Sequence, residues 1–149
     1  MTRVLFITIF VAACGGAAHP GGPTAFKDMD LDQRIEFMKT TVLPRAKQLF
    51  VAFDPKFEKM DCETCHGDGA KNGTWELPNP KIKPLPNSPE GFTAWMQAAP
   101  DEARWAKFMA TQLVPEMATM LGKKRFDPQT KTGDFGCSVC HVLSADAGK

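Results

Sequence analysis

The chain has 149 residues, and its 18 Lys and Arg against 17 Asp and Glu leave a formal net charge of +1, which gives no electrostatic reason to bind nucleic acid. That length holds one small domain or two closely packed modules and excludes a large independent core. Eleven Phe, three Trp and eight Met with no Tyr make its apolar material unusually polarizable.

Residues 1–13 read as an export signal. Met1 to Arg3 is a short positive start, and Val4 to Ala13 is an apolar run of 10 residues, half of the roughly 20 that a spanning helix needs. Val11-Ala12-Ala13-Cys14 resembles a bacterial lipoprotein cleavage box, which implies cleavage before Cys14 and acylation of its thiol and new N-terminus. The alternative is an ordinary signal peptide cut at a nearby small residue. Either way the mature protein is expected outside the cytoplasm, on the periplasmic side of a bacterial membrane. Residues 14–29, with two Gly-Gly pairs, Pro20 and Pro23, have the composition of a flexible tether behind the lipid, and His19 within it is read as solvated.

A first unit is expected over residues 30–90. Asp30-Leu31-Asp32-Gln33 reads as a helix N-cap, and apolar residues follow at helical spacing at Ile35, Met38, Val42, Ala46, Leu49 and Phe50. Pro44 lacks an amide donor and crowds the carbonyl of Thr40, so the helix should bend or restart there. Phe53-Asp54-Pro55 makes a turn, and after a short loop comes Cys62-Glu63-Thr64-Cys65-His66. The stretch Gly67 to Gly91, with Leu77-Pro78-Asn79-Pro80 and Lys83-Pro84-Leu85-Pro86, reads as an extended, stiff loop.

The second unit, residues 91–149, follows the same plan. A helical turn is expected over Thr93–Ala98, and then a helix capped by Asp101 with an apolar stripe through Phe108, Met109, Leu113, Met117, Met120 and Leu121, interrupted by Pro115 and ended by Gly122. Phe126-Asp127-Pro128 and Cys137-Ser138-Val139-Cys140-His141 complete it. At an offset of 71 residues Asp30 meets Asp101, Phe37 meets Phe108, Met38 meets Met109, Thr40 meets Thr111 and Pro44 meets Pro115; the turns match at 73 and the cysteine motifs at 75. The chain is a tandem repeat with small loop insertions.

C-x-x-C-H is the attachment sequence for c-type haem, in which two thiols add across the porphyrin vinyl groups and the histidine binds the iron. Cys62 and Cys65 with His66, and Cys137 and Cys140 with His141, are therefore expected to hold two covalently attached haem c groups. Cys14 is the one other cysteine, so none remains for a structural disulfide. Zinc fits poorly, because zinc ribbons space their pairs by roughly 15 to 20 residues and the two pairs here lie far further apart. A thioredoxin-like site would need a strand-helix-strand pattern that neither pair has. The Pro-rich loop either links the repeats or passes over the histidine side of the first haem, as in many c-type cytochromes, with a backbone carbonyl taking the free N–H of His66. Trp95 is a candidate for packing against a porphyrin.

A helix bearing Met, then a proline, then C-x-x-C-H resembles the modules of the cytochrome c subunit of bacterial photosynthetic reaction centres. Phe37-Met38 with Pro44 and Phe108-Met109 with Pro115 carry the likeness, which covers about half the chain. It implies that Met38 ligates the haem held by Cys62, Cys65 and His66, and Met109 the haem held by Cys137, Cys140 and His141. That family carries four haems on a longer chain, and the likeness says how haem is held, not where electrons come from. Independently of it, only His19 remains once the motif histidines are assigned, so at least one iron takes Met or keeps an open site. Met117 and Met120 share the apolar face with Met109, but the repeat favours the equivalent pair Met38 and Met109.

The sequence thus implies a mainly α fold with little or no sheet, two helix-loop-C-x-x-C-H modules joined by a Pro-rich loop. The function expected is electron transfer with no catalytic residues, in exchange with redox proteins or a membrane electron-transfer complex. The alternative is a haem enzyme or gas sensor with one open axial site. Lys56, Lys59, Lys71, Lys81 and Lys83 around the first motif, and Lys123, Lys124, Arg125 and Lys131 before the second, either steer an acidic partner or form a solvated face.

Overall fold

The structure, a computed structural model, describes residues 24–147. The export segment, Cys14 and His19 lie outside them. The fold is mainly helical, and its frame is two long helices that each change pitch halfway.

The first starts where the sequence places it. Asp30 closes a full capping box, its carboxylate accepting from the Gln33 N–H (2.9 Å) while the Gln33 side chain accepts from the Asp30 N–H (3.0 Å). Helix α1 (Leu31–Phe37) runs into a π turn over Met38–Val42 and continues as α2 (Leu43–Phe53). The cause is Pro44, which cannot donate to a carbonyl four residues back. In the wider turn the Leu43 N–H reaches the Met38 carbonyl, five residues back, and the helix goes on beyond the proline. Thr40, inside this turn, donates its hydroxyl to the Glu36 carbonyl at 2.8 Å.

Three short helices, α3 (Cys62–His66), α4 (Asp68–Asn72) and α5 (Pro89–Ala98), precede the second long helix. Ser88 caps α5, its hydroxyl accepting from the Gly91 N–H at 3.0 Å, so the helical turn expected over Thr93–Ala98 is a longer helix. The second long helix repeats the plan of the first, as α6 (Pro100–Phe108), a π turn over Met109–Leu113 and α7 (Val114–Met120). Here the Val114 N–H reaches the Met109 carbonyl, and the Thr111 hydroxyl donates to the Lys107 carbonyl at 2.7 Å. Its start differs from expectation. Pro100 takes the first helical position, where its missing N–H costs nothing, so the cap falls on Ala99 and Asp101 lies within the first turn. Gly122, at φ +62°, ends it in a Schellman arrangement, with the Lys123 N–H on the Ala118 carbonyl (2.8 Å) and the Gly122 N–H on that of Thr119 (3.2 Å).

The two long helices pass each other in opposite senses. Arg45 and Glu116 meet at the crossing (2.6 Å), Phe53 stacks on Phe108 at 4.3 Å, and Phe50 meets Phe108 edge-on at 5.3 Å. Arg45 and Glu116 are themselves equivalent at the offset of 71, so the pairing is that of a pseudo-two-fold axis through this contact. The core obeys the same symmetry. One cluster is built on Val42, Ala118, Leu121 and Phe135, and the other on Ala46, Phe50, Met60 and Phe108. Each draws on the first half of one long helix, the second half of the other, and a residue two positions before a cysteine motif, Phe135 or Met60.

The aspartates of the two Phe-Asp-Pro turns act alike. Asp54 accepts from the Lys56 N–H at 3.1 Å, and Asp127 from the Gln129 N–H at 2.8 Å. Beyond them the halves part, the first going through a 3-10 helix over Pro55–Lys59 and the second through bridges between Arg125 and Phe135 and between Asp127 and Thr132. Gly133, at φ +95°, lies so close to the Arg125 carbonyl that a Cβ would come within 2.1 Å of it. The last helix, α8, is Cys137–Cys140. Sheet is confined to a parallel pair of two-residue strands, β1 (Leu85–Pro86) and β2 (Leu143–Ser144). Among the described residues no helix is long and apolar enough to cross a membrane.

Candidate metal centres

Each cysteine motif begins a short helix, so its two thiols, three residues apart, share one helical face. At the first, Asp61 caps the helix and Thr64 returns the bond to the Asp61 N–H. All four cysteines of the described residues are free thiols, with Cys137 exposed and the other three partly covered.

The two histidines differ. His141 Nδ1 lies 2.8 Å from the Lys83 carbonyl oxygen. A carbonyl only accepts, so Nδ1 carries the proton, and in the neutral ring the lone pair is then on Nε2. His66 is deeper. Its Nδ1 is buried with no hydrogen-bond partner of acceptable geometry, and its ring sits edge-on to Trp75, centroids 5.5 Å apart. Burial holds the His66 imidazole below its ordinary pKa, with an interaction at the Trp75 backbone opposing this in part, and so favours the neutral form, the one that binds metals.

The Pro-rich loop reaches the motifs differently from expectation. Its carbonyl serves His141, not His66. The reason lies in the strand pairing: the Leu85 N–H donates to the Val142 carbonyl at 2.9 Å, and Leu85 pairs with Leu143, which draws residues 83–86 alongside the second motif. Asn79, further back in the loop, touches both motifs. Its N–H donates to the Cys140 carbonyl and its side-chain Nδ2 to the Cys65 carbonyl, each at 3.2 Å. The two C-x-x-C-H segments are therefore neighbours. Trp95 is buried against Phe92, with the Lys83 ammonium 5.7 Å from its ring centre.

Met38 and Met109 each open a π turn, and their carbonyls accept the widened bonds. Turns of this kind recur at functional sites because they displace one residue from the regular helical face. Met38 packs on the cluster to which Val139 of the second motif contributes, and Met109 on the one that includes Cys65 of the first. That grouping runs across the repeats, whereas the family likeness pairs each methionine with the motif of its own repeat. Met120 sides with Met38, Met117 borders both clusters, and Met60 is buried in the second.

The thiols are electrostatically subdued. Burial pushes the Cys65 thiol up to about 12, and negative charge on Cys140, Cys62 or Asp61 would add to this; burial first, then Cys137, raises Cys140. At pH 8 the Cys65 thiolate is then about a thousandfold scarcer than that of an ordinary cysteine. In the haem-free chain Cys65 will be alkylated by iodoacetamide far more slowly than exposed Cys137, and its rate will climb as pH rises from 9.0 toward about 12. Peptide mass spectrometry of timed samples checks this; equal rates at pH 8 would contradict the burial.

The lysines around the first motif are mostly matched. Lys56 pairs with Asp54 (2.8 Å), Lys71 with Glu63 (2.8 Å), Lys81 with Asp68 (2.6 Å), and Lys83 with Glu102. Near the second motif Lys123 pairs with Asp134 at 3.2 Å. Such exposed pairs add little stability, but they halve the charge any partner would meet, which favours a solvated face over a steering surface.

Among the described residues no group of three or more His, Cys, Asp or Glu side chains is arranged to hold a metal ion by itself. A covalently bound porphyrin asks less of the chain, two thiols and one imidazole at each motif. The donor set fits it: free thiols in pairs, a histidine with its lone pair directed to Nε2, and a second histidine with a buried, unsatisfied Nδ1. The π turns, the Asn79 bridge and the Lys83 carbonyl were not legible as site features, although a proline inside unbroken helical periodicity, six residues after a methionine in both repeats, marks where the turns fall. No protein-family model, no curated protein and no solved structure matches the chain.

Proposed function

We propose that the protein is a dihaem c-type cytochrome that carries electrons, exported and tethered to a bacterial membrane through an acylated Cys14. The observation that carries this reading is the hydrogen bond from His141 Nδ1 to the Lys83 carbonyl, because it leaves Nε2 as the free donor in a histidine that directly follows a C-x-x-C pair. Bound haem would supply one-electron exchange at iron. Cys62, Cys65, Cys137 and Cys140 would hold the two groups by thioether bonds, and His66 and His141 would bind the irons. Met38 and Met109 would give one thioether ligand to each iron, supported by their equivalent places at the heads of the two π turns.

With His66 and His141 and the two methionines as ligands, neither metal would keep a place for substrate, and the site would exchange electrons and do no bond chemistry. The partners are then redox proteins or a membrane electron-transfer complex. A haem enzyme or gas sensor would keep one axial position open. Optical spectra of the reduced protein with and without carbon monoxide separate the two. The expected result is no change within minutes of adding the gas, and rapid binding at one haem would overturn the carrier reading.

A further inference from the structure

Asn79 is buried to 3% exposure, the one buried polar residue in the core of the described chain. A polar residue in such a place is costly unless every group on it is used, and here every group is. Its N–H goes to the Cys140 carbonyl, its Nδ2 to the Cys65 carbonyl, its Oδ1 takes the Lys81 N–H at 2.9 Å, and its carbonyl takes the Ile82 N–H at 3.1 Å. The amide cannot be turned round, since the Cys65 carbonyl only accepts and the Lys81 N–H only donates. The first motif leaves room for it. Gly67 directly follows His66 at φ +54°, and a Cβ there would come within 2.6 Å of Asn79 Oδ1.

We infer that Asn79 is a clasp, a positioning residue that sets the separation and tilt of the two haem sites relative to one another. The inference rests on the dihaem reading and adds to it a residue that belongs to neither motif. Three features make the clasp specific. It bonds to the last cysteine of each pair, the residue beside the iron-binding histidine. It bonds through short, rigid groups, one backbone and one two-carbon side chain, so slack in one motif is not absorbed before it reaches the other. It is also continuous with the Lys83 and Leu85 contacts that fasten the same loop to His141 and Val142.

The test uses the exported two-haem protein with Asn79→Asp, which keeps the acceptor for Lys81 and loses the donor to Cys65, and Asn79→Leu, which loses both side-chain bonds. Ser88→Ala is the control, since it removes a helix cap in the adjoining segment and makes no bond to either motif. Intact mass comes first: a wild-type chain without haem would defeat the dihaem reading itself, and nothing would then be asked of Asn79. With two haems present in all four proteins, circular dichroism in the Soret region reads haem-haem distance and orientation, and a redox titration reads the separation of the two reduction steps. The expected result is that both Asn79 variants lose at least half of the wild-type exciton couplet and change the separation of the steps, while Ser88→Ala keeps both. Should either variant lose two-haem assembly, the other decides, and a two-haem Asn79 variant with the wild-type couplet and wild-type separation overturns the inference.

Discussion

Replacing Cys62 and Cys65 together by Ala will halve the haem carried by the exported protein, replacing Cys137 and Cys140 will remove the other half, and changing all four will leave none. In thioether attachment each thiol would add its S–H across a vinyl group with no leaving group, so every haem would appear in the intact mass as a full increment, and one pair of cysteines would account for one increment. The halves should be separable because each motif has its own helix and its own histidine. They should not be independent in stability. Most of the apolar core of the described chain lies in two small clusters, each built from both halves, and Asn79 ties the motifs to each other. A chain this small gains much of its stability from whatever large apolar group it buries. The single-haem proteins are therefore expected to melt below the wild type, and the four-alanine chain to melt lowest of the set while still folding. A wild-type protein whose mass matches the bare chain, or a chain that keeps both haems after losing one cysteine pair, would remove the basis of the proposed function.

Much of this architecture is written locally, and those parts were legible. Asp30 with Gln33, Gly122 after Leu121, and the equivalent placing of Pro44 and Pro115 are short-range signals, each fixed by what a helix end or a missing amide requires. At the start of the second helix Asp101 is a good cap in isolation, but Pro100 is a better first residue, and the cap falls two positions earlier, on Ala99. What the sequence withheld is long-range. Nothing in Leu77-Pro78-Asn79-Pro80 distinguishes a surface turn from a buried amide bonded to two distant carbonyls, and nothing in Lys83 says that its carbonyl meets the second histidine rather than the first. Backbone carbonyls carry no residue signature, so a site completed by them is seen only when the chain is folded.

Met38→His and Met109→His will each lower one of the two reduction potentials and leave the other nearly unchanged. A thioether stabilises ferrous iron relative to a second imidazole, so the shift is downward, by roughly 0.1–0.2 V within the ~0.8 V that axial ligands command. Neighbouring methionines should not mimic this, because Met117 and Met120 lie beyond the π turn at positions where the first repeat has Ala46 and Leu49. The pairing can be read in chains that retain one haem. Met38 shares its cluster with Val139 and Met109 shares its cluster with Cys65, and the pseudo-two-fold arrangement makes the two statements equivalent. In a chain carrying Cys62→Ala and Cys65→Ala, the remaining haem at Cys137 and Cys140 is thus expected to respond to Met38→His and to ignore Met109→His. The opposite response would place each thioether in its own repeat, as the family likeness implies, and would mean that the helices shift along each other when haem is bound. No shift in either potential would show that neither methionine is a ligand.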